Sequence, residues 1–391
     1  MNILFLALDI NIGDKTGDSI HMRELATSLA RIGNEVFLIV AYIENIESNL
    51  DWAKKIPNLH LFFNKCGKRF KNLSTLAYSR KIAKKYRAQI IYERRFSPKI
   101  GVALSKLLRI PAIIELNGIS DIEAEMLGRT QKRKGISRPI RKFISRYLFR
   151  NVDSVVAVTH GIKREVIVRY GVKSDKVFVI QNGANVNLFK SMGRTLCREK
   201  FGLNQSDKYV CFVGNLAPWQ GVENLVKASP LIFEKEMKVR FLIVGDGILG
   251  ETLRMMVKEI NMDERFHFLG KIPYENVPFI INASDVCVAP FIRKRNEKIG
   301  LSPLKIYEYL ACGIPVVASD IEGVGDFLLE TGSGIAVEPE NYEALAQGII
   351  ELLHKEEVRK VMGRNGRDAV VKEHSWDSVA EKVVEVCKPL I

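Results

Sequence analysis

The sequence predicts an α/β protein with two doubly wound domains, each a parallel β-sheet covered by helices on both faces. Short apolar runs rich in β-branched residues alternate along the chain with amphipathic segments of helix length, which is typical of parallel sheets. The length of 391 residues, 47% of them hydrophobic, suits two domains with large cores. Turn-forming residues interrupt the alternation at about residues 185–205, where we expect the domains to meet.

Twelve runs are interpreted as strands. They are NILFLAL, EVFLIVAY, AQIIYE, PAIIELN, SVVAV and KVFVIQNG, then YVCFVGN, VRFLIVGD, RFHFLGK, DVCVAPF, IPVVASD and GIAVEP. The first run stops at Asp9 without a basic segment before it or a cleavage site after it, so it indicates a strand and not a signal peptide. We expect an N-terminal domain at 1–188, a C-terminal domain at 189–375 and a last helix at 376–391. No run approaches the roughly 18 apolar residues of a membrane-spanning helix.

The net charge of +14 is concentrated in one half of the chain. Residues 1–190 hold 34 lysines and arginines against 16 acidic residues, and residues 191–391 hold 25 against 29. Segments 61–92 and 129–150 each contain nine basic residues and no acidic one, interleaved with aromatic and aliphatic residues. This pattern favours an anionic membrane surface or nucleic acid as a partner. The six scattered cysteines show no metal-ligand spacing and indicate structural thiols in a reducing cytoplasm.

The segment KIGLSPLKIYEYLACGIPVVASD, at 298–320, predicts a loop, a short helix, a turn and a buried strand. Ser302 is expected to be the N-cap and Pro303 the first helical residue. The helix is expected to run to about Ala311, where Gly313 supplies a left-handed stop.

The start of this helix is a candidate phosphate site. Unpaired N–H groups and the helix dipole attract anions there, and Lys305 adds a positive charge in the first turn. Glu308 lies too far into the helix for the dipole to explain, and a ligand hydroxyl would account for it. The alternative is an ordinary Ser-Pro helix start with a solvated Glu308.

A second candidate is VRFLIVGDGILGETL, where Gly245, Gly247 and Gly250 form G-x-G-x-x-G between a strand and a helix. NAD binding also needs a carboxylate at the end of the next strand, which here ends in Gly270 and Lys271. The missing acid disfavours NAD, whereas another nucleotide lying near this turn remains open.

A third candidate is the loop after the first strand, DINIGDKTGDSIHMRELATSLARIG. Gly13 and Gly17 allow a ligand to approach the backbone at the carboxyl edge of the sheet, where doubly wound folds bind ligands. A helix is expected to begin near Asp18 or Ser19, with His21 in its first turn. The alternative is an ordinary strand-to-helix turn with His21 on the helix surface.

Together these segments resemble glycosyltransferase family 4, retaining nucleotide-sugar-dependent enzymes with the two-domain GT-B fold. The resemblance covers essentially the whole chain. It is carried by the order and spacing of the glycine loop with HMRELATSLARIGNEVFLI, then NGANVNLF, FVGNLAPWQGVENLVKA, FLIVGDG, FLGKIPYENVPFIINASDVCVAPF and SPLKIYEYLACGIPVVASDIEG. It implies two Rossmann-like domains facing a cleft, with the acceptor in the first, the donor in the second and the last helix crossing back to the first.

The resemblance also implies roles for single residues. Glu308 matches the second glutamate of the family's pair and would bind the donor ribose, while Lys305 and the amides of 300–304 would hold the diphosphate. The donor-binding set is Gly214, Asn215, Gln220, Gly245, Asp246, Lys271, Ile272, Gly300, Leu301, Ser302, Pro303 and Leu304. Asn117 stands where many members carry a histidine near the reaction centre. Gly17, His21 and Glu115 are assigned to the acceptor side or its loop.

The sequence departs from the family pattern at three positions that concern the donor. Gly300 occupies the place of the first glutamate, and Asn215 and Gln220 replace an arginine and a lysine that contact phosphate. Arg293 is expected to act with Lys305 in their place. Lys294, Arg295 and Lys298 are further candidates from the same run, whose alternative interpretation is a solvated loop.

These features predict a retaining hexosyltransferase that moves a sugar from a UDP- or GDP-sugar to a glycan or lipid-linked acceptor of the cell envelope. Catalysis is expected from Glu308, Lys305, Arg293 and Asn117. No metal or other cofactor is expected, because no Asp-x-Asp pair lies in a plausible loop. The basic half predicts a peripheral position on the inner face of the membrane, with nucleic acid a less favoured partner.

Two alternatives remain open. A sugar-nucleotide 2-epimerase would use a related architecture with acid/base carboxylates and histidines around the sugar. A basic nucleotide-dependent RNA- or lipid-binding protein would show no turnover. The sequence does not select the sugar, the base, the acceptor, the linkage or the oligomeric state.

Overall fold

The computed structural model describes residues 1–10, 12, 16–41, 51–64, 71–94, 99–119 and 138–391. These residues form two compact units, Met1–Asn182 with Trp376–Ile391 and Gly183–Ser375. The division falls slightly before the expected boundary at 188, because the backbone N–H of Ala184 donates to the carbonyl of His374 and thereby ties this segment to the second unit.

The first unit is built on a seven-stranded parallel sheet with the order β3-β2-β1-β4-β5-β6-β7. Its strands are β1 Asn2–Ala7, β2 Glu35–Ala41, β3 Leu59–Asn64, β4 Ile90–Arg94, β5 Ala112–Leu116, β6 Ser154–Ala157 and β7 Val177–Val179. Its helices include α1 Gly17–Arg31, α2 Asp51–Lys54, α3 Lys71–Lys85, α4 Lys99–Leu108, α5 Arg138–Arg150 and α6 His160–Tyr170. One core cluster packs Ile82 of α3 and Leu104 of α4 against Leu4, Leu6 and Ile91 of the sheet.

Strand β3 is absent from the twelve predicted runs. Its sequence LHLFFN overlaps the basic segment 61–92, and the strand lies at the edge of the sheet with several partly exposed residues. An edge strand of this kind lacks the continuous apolar run that marks a strand buried on both faces.

The second unit is built on a six-stranded parallel sheet with the order β10-β9-β8-β11-β12-β13. Its strands are β8 Lys208–Val213, β9 Val239–Val244, β10 Phe266–Gly270, β11 Val286–Ala289, β12 Val316–Ser319 and β13 Gly334–Val337. Its helices are α7 Arg194–Lys200, α8 Val222–Lys235, α9 Gly250–Glu259, α10 Val277–Ala283, α11 Arg293–Ile299, α12 Leu304–Ala311, α13 Gly325–Thr331, α14 Tyr342–His354 and α15 Glu356–Glu373. Leu225 of α8 and Ile349 of α14 pack with Val210 and Phe241 in its core. Both units therefore have the predicted doubly wound, Rossmann-like arrangement.

The last helix, α16 Trp376–Cys387, belongs to the first unit. The Trp376 ring lies edge-on to His21 of α1 at 4.9 Å between centroids, and Arg31 Nη1 lies 2.9 Å from Asp377 Oδ1. Val383 is fully buried. The apolar stripe of the C-terminal sequence thus packs on the N-terminal sheet unit.

The helix predicted within 298–320 is present but begins differently. It starts at Leu304 with Pro303 as N-cap, and no side chain caps it. The expectation that Ser302 caps the helix is wrong, since the Ser302 hydroxyl lies 3.1 Å from the Tyr307 hydroxyl. The helix ends at Ala311 as predicted, and Gly313 adopts φ of 76°, the left-handed conformation expected there.

Within the described part of the chain, every helix is too short or too polar to cross a lipid bilayer.

Candidate active site

The donor-binding residues predicted in the second unit gather at the carboxyl end of its sheet. Strands β8 and β11 are neighbours although β9 and β10 separate them in sequence, so the chain leaves these two strands in opposite directions. Such a switch point opens a crevice in which doubly wound folds bind ligands. Gly214 directly follows β8, Phe291 follows β11 and α12 brings Lys305 to the same place.

Lys305 is held in this crevice by an amide and two rings. Its Nζ donates to Gln220 Oε1 at 2.8 Å and lies 3.9 Å from the Phe212 ring centroid and 5.5 Å from that of Phe291. A Cβ atom on Gly214 would overlap the ammonium group, so this position requires glycine. Gln220, noted above as a neutral residue in place of one that contacts phosphate, here holds the ammonium group of Lys305.

The charge of Lys305 depends on this setting. Burial lowers its pKa from 10.5 to about 7, although the nearby Glu308 carboxylate acts in the opposite direction. A buried ammonium with few polar neighbours is poorly solvated, and a bound anion would stabilise it strongly. The site is therefore suited to a phosphate group.

Glu308 lies one turn further along α12 and is only 6% exposed, so it is not a solvated helix residue. The Tyr274 hydroxyl donates to Glu308 Oε1 at 2.8 Å. The Tyr274 ring packs 5.3 Å from that of Phe189, which fixes the direction of the hydroxyl. Tyr274 was not predicted, because its position 34 residues earlier in the chain gives no local signal.

The glycine turns predicted to line a nucleotide pocket interlock at the ends of three strands. The Gly214 N–H donates to the carbonyl of Val244 at 2.9 Å, and the Gly245 N–H donates to that of Gly270 at 2.8 Å. Gly245 adopts φ of 123°, and a Cβ there would overlap the Gly214 carbonyl. The expected strand–glycine–helix context is thus present, with α9 beginning at Gly250.

The side chains around these turns are more exposed than Lys305. Lys271 Nζ lies 4.0 Å from Asp246 Oδ2 at the surface, and Ile272 follows with partial burial. A Cβ on Gly247 would overlap Asn215 Oδ1, so the Asn215 side chain lies over this glycine. These residues form a polar rim beside the Lys305 crevice.

The backbone before α12 is ordered by contacts within the protein. Gly300 has φ of 65° and ψ of −176°, its N–H donates to the Asn296 carbonyl at 2.8 Å, and the Leu301 N–H donates to the Glu322 carbonyl at 2.9 Å. A diphosphate would have to displace these two bonds to use both amides. Pro303 and Leu304 are partly buried at the helix start.

Arg293 begins helix α11, so the run 293–299 is a helix and not a loop, although Lys294 and Lys298 on it are exposed to solvent. Its Nη2 lies 3.0 Å from Glu338 Oε1, and its Nη1 lies 4.0 Å from Glu297 Oε1. The side chain is 43% exposed, and surface ion pairs of this kind contribute about 0–1 kcal/mol. A role for Arg293 in binding phosphate requires it to leave Glu338, at small cost.

The first unit carries a buried charged cluster at the carboxyl ends of β4 and β5. His21 Nε2 lies 2.6 Å from Glu115 Oε1, the Tyr92 hydroxyl donates to Glu115 Oε2 at 2.7 Å, and Arg94 Nε lies 3.4 Å from Oε1. Arg94 Nη2 also donates to Asp18 Oδ1 at 3.0 Å. Except for Asp18 these residues are buried, so the interpretation of His21 as a surface residue is wrong.

Glu115 is ionised in this cluster. Burial alone would raise its pKa, but the contacts with His21, Arg94 and Tyr92 outweigh burial and lower the pKa to about 2. Arg94 and Tyr92 were not predicted. The available signal was their position in β4, because polar groups at the carboxyl ends of buried parallel strands often belong to sites.

Asn117 follows β5 beside this cluster, and its side chain lies 3.5 Å from His21 Nδ1. When its amide nitrogen faces the carboxylate, it donates to Glu115 Oε1 at 3.2 Å and its oxygen accepts from Arg94. Gly17 is the first residue of α1, and Gly13 lies outside the described residues. Each unit therefore gathers its own predicted residues at the switch-point end of its sheet.

Comparison with known proteins gives two consistent results. An uncharacterised glycosyltransferase of Methanocaldococcus jannaschii is 26% identical over 380 residues, which is 96% of this chain and 95% of that protein. A second glycosyltransferase of that organism is 26% identical over 64% of this chain, and the chain spans only 62% of its length. The structure of Anabaena HepE in complex with UDP and glucose matches over 100% of both chains with a TM-score of 0.76 at 20% identity, which shows a shared GT-B fold.

Family models agree with these matches. The model described as Glycosyltransferase Family 4 matches residues 16–188, and the model described as Glycosyl transferases group 1 matches residues 194–369. Together they cover nearly all of both units. The chain therefore belongs to the group 1 glycosyltransferases of family 4, and it is a glycosyltransferase with the GT-B fold.

Proposed function

We propose that this glycosyltransferase transfers a hexose, with retention of configuration, from a UDP- or GDP-sugar to a hydroxyl group of a glycan or lipid-linked acceptor in the cell envelope. The observation that carries the proposal is Lys305, a buried ammonium fixed by Gln220 at the switch point of the second unit. HepE, with the same fold, is bound to UDP in its crystal structure, which supports a nucleotide sugar as donor.

In the proposed reaction the bond between the anomeric carbon and the diphosphate oxygen breaks, and a bond to the acceptor oxygen forms as that hydroxyl gives its proton to the departing diphosphate. Negative charge develops on the departing diphosphate. Lys305 and the N-terminus of α12 would stabilise that charge, because fixed donors act strongly in a crevice with little water. Glu308, positioned by Tyr274, would accept a hydrogen bond from the donor ribose.

The cluster around Glu115 would bind the acceptor. Asn117 and Arg94 offer it an amide and a fixed positive charge, while the ionised Glu115 holds both in place. We infer that a metal ion is not required, since Lys305 would supply the positive charge that Mg²⁺ supplies elsewhere. Activity is then expected to be unchanged by EDTA.

The proposal is tested by incubating the full chain with labelled UDP- and GDP-sugars and candidate acceptors. Glycosyl transfer releases a nucleoside diphosphate together with a glycosylated product of retained anomeric configuration. An epimerised donor would instead identify a 2-epimerase, and binding without any product would identify a nucleotide-dependent binding protein. A thermal-shift comparison of UDP, GDP and ADP selects the base.

Glu308→Ala is expected to weaken nucleotide binding by about 10- to 100-fold, because a hydrogen bond to a charged group contributes about 1.5–3 kcal/mol. The ribose contact exists before and during transfer, so KM for the donor should rise more than kcat falls. Calorimetric titration with the nucleoside diphosphate measures the change. Glu259→Ala, at the exposed end of α9, is the control, and equal affinities in all three proteins would contradict the role of Glu308.

The donor kcat/KM is expected to fall as the pH rises through about 7. Lys305 has a lowered pKa, so its ammonium form predominates below that pH and is lost above it in the free enzyme. The fall at high pH should be smaller in kcat than in kcat/KM, because the bound diphosphate raises the pKa of Lys305. A flat profile between pH 6 and about 8.5, with Lys305 intact, would contradict this dependence on charge.

We also propose a peripheral position on the inner face of the cytoplasmic membrane. The excess of basic residues in the N-terminal half supports it, since each lysine or arginine near an anionic leaflet contributes about 1 kcal/mol.

A further inference from the structure

Helix α5 turns an apolar stripe toward solvent. Phe143, Ile144 and Tyr147 lie three, four and seven residues after Ile140, so the four side chains share one face of the helix. Their exposed fractions are 54%, 71%, 37% and 50%. The helix has a second face for the interior, where Phe149 is 2% exposed and stacks on Tyr170 of α6. The outward stripe is therefore additional to what the fold needs.

The stripe continues onto helix α4. Lys106 Nζ lies 2.5 Å from the Tyr147 hydroxyl and 4.6 Å from the centroid of its ring, which joins the two helices side by side. Next to Lys106, Leu107 is 53% exposed, whereas Leu104, one turn earlier, is fully buried in the core. We call Leu107, Ile140, Phe143, Ile144 and Tyr147 the apolar patch.

The surroundings of the apolar patch are basic. The sequences of α3, α4 and α5 contain twelve lysines and arginines and no acidic residue, and α3 packs against α4. Lys142 and Arg146 are exposed beside Phe143 and Tyr147 on α5. On the adjoining α6, Glu165 is paired with Arg169 at 2.5 Å, so its charge is already balanced.

Single exposed apolar residues are ordinary on protein surfaces, but a stripe on a basic helix is not. Aliphatic side chains such as Ile140, Ile144 and Leu107 offer nothing to a nucleic acid, which uses stacking rings and polar groups. They match the acyl chains of a lipid bilayer, while Lys142 and Arg146 match its phosphates. Charge and apolar area thus select the same partner.

We propose that α5 and the end of α4 dock in the plane of an anionic bilayer, with the apolar patch at the boundary between headgroups and acyl chains. This deepens the proposed membrane position by naming the surface that makes the contact. The docking itself does not depend on the proposed function. Only its purpose, to bring the first unit to acceptors carried by lipid, rests on that function.

The test is sedimentation of the full chain with vesicles of phosphatidylcholine alone and with about 30% phosphatidylglycerol. We expect strong binding to the anionic vesicles only. Phe143→Glu should lower the partition coefficient about 30-fold or more, because it removes apolar area and places a negative charge at the surface. The double variant Lys142→Glu, Arg146→Glu should lower it by a similar or larger factor.

Leu329→Glu is the matched control, since Leu329 is 81% exposed on α13 of the second unit and should bind vesicles like the wild type. Phe143 is largely exposed, so its variant should keep the unfolding temperature and the release of nucleoside diphosphate from a donor with a water-soluble acceptor. That release tests the proposed function separately from vesicle binding.

The proposal would be overturned if the wild type did not bind anionic vesicles, if Phe143→Glu bound them as well as the wild type, or if Leu329→Glu lost as much binding as Phe143→Glu. Binding to RNA in place of vesicles at the same salt concentration would overturn it in favour of a nucleic-acid surface.

Discussion

Replacing Lys305 with methionine is expected to lower kcat by about 100- to 1000-fold, the usual cost of removing one fixed donor from a developing oxyanion. Methionine keeps the length and apolar stem that pack between Phe212 and Phe291. The loss therefore measures the ammonium charge and not a cavity. Single-turnover rates with a saturating UDP- or GDP-sugar give the effect directly.

Lys258→Met is the control, because it removes an exposed lysine from the last turn of α9, at a position with no assigned role in donor binding. Turnover in Lys305→Met within a few-fold of the wild type would rule out the proposed role. As the pH rises, the stability of the wild type should increase while its activity falls.

Between pH about 7 and 10.5 Lys305 carries a proton in the unfolded chain but not in the folded chain, so the free energy of unfolding of the wild type should rise across this range relative to that of Lys305→Met.

Replacing Asp285 with alanine is expected to destabilise the second unit by about 3–5 kcal/mol. Asp285 is 1% exposed, and its Oδ2 accepts from Arg198 Nη2 at 3.0 Å and from the Tyr209 N–H at 2.9 Å. Its Oδ1 accepts from Arg194 at 2.9 Å and lies 3.7 Å from Arg359. Removing the carboxylate would leave two buried guanidinium groups, Arg198 and Arg359, without their shared counter-ion.

The loss should appear as a lower denaturant midpoint and as faster hydrogen exchange at the Tyr209 amide. Asp377→Ala is the matched control, because Asp377 pairs with Arg31 at the same 2.9 Å but at an exposed position. Its expected cost is below about 1 kcal/mol. Similar costs for the two variants would show that burial of the Asp285 network contributes little to stability.

Much of the fold could be predicted because buried parallel strands leave a local pattern. Val316–Ser319, for example, is buried throughout and reads as a continuous apolar run. Leu59–Asn64 escaped prediction because this edge strand is only partly buried, contains His60 within its apolar run and is followed by basic residues. The capping role given to Ser302 was wrong, because Tyr307, only one turn further on, competes for its hydroxyl.

The candidate site likewise contains residues that could be predicted from the sequence and residues that could not. Lys305 and Glu308 could be predicted from their spacing along one helix, which is a local property. Their partners could not, because Gln220 lies 85 residues from Lys305 and Tyr274 lies 34 residues from Glu308. Only the sheet order, which makes β8 and β11 neighbours, brings these side chains together.

The backbone at Gly300 limits how donor preference can be engineered. Its φ of 65° and ψ of −176° lie in a region that only glycine occupies readily. A library that randomises this codon alone, in order to install the glutamate that other family members carry, would therefore yield mainly proteins with a distorted helix start. Variation must include the flanking residues 299–303, so that the loop can adopt a conformation open to other residues before the carboxylate is selected.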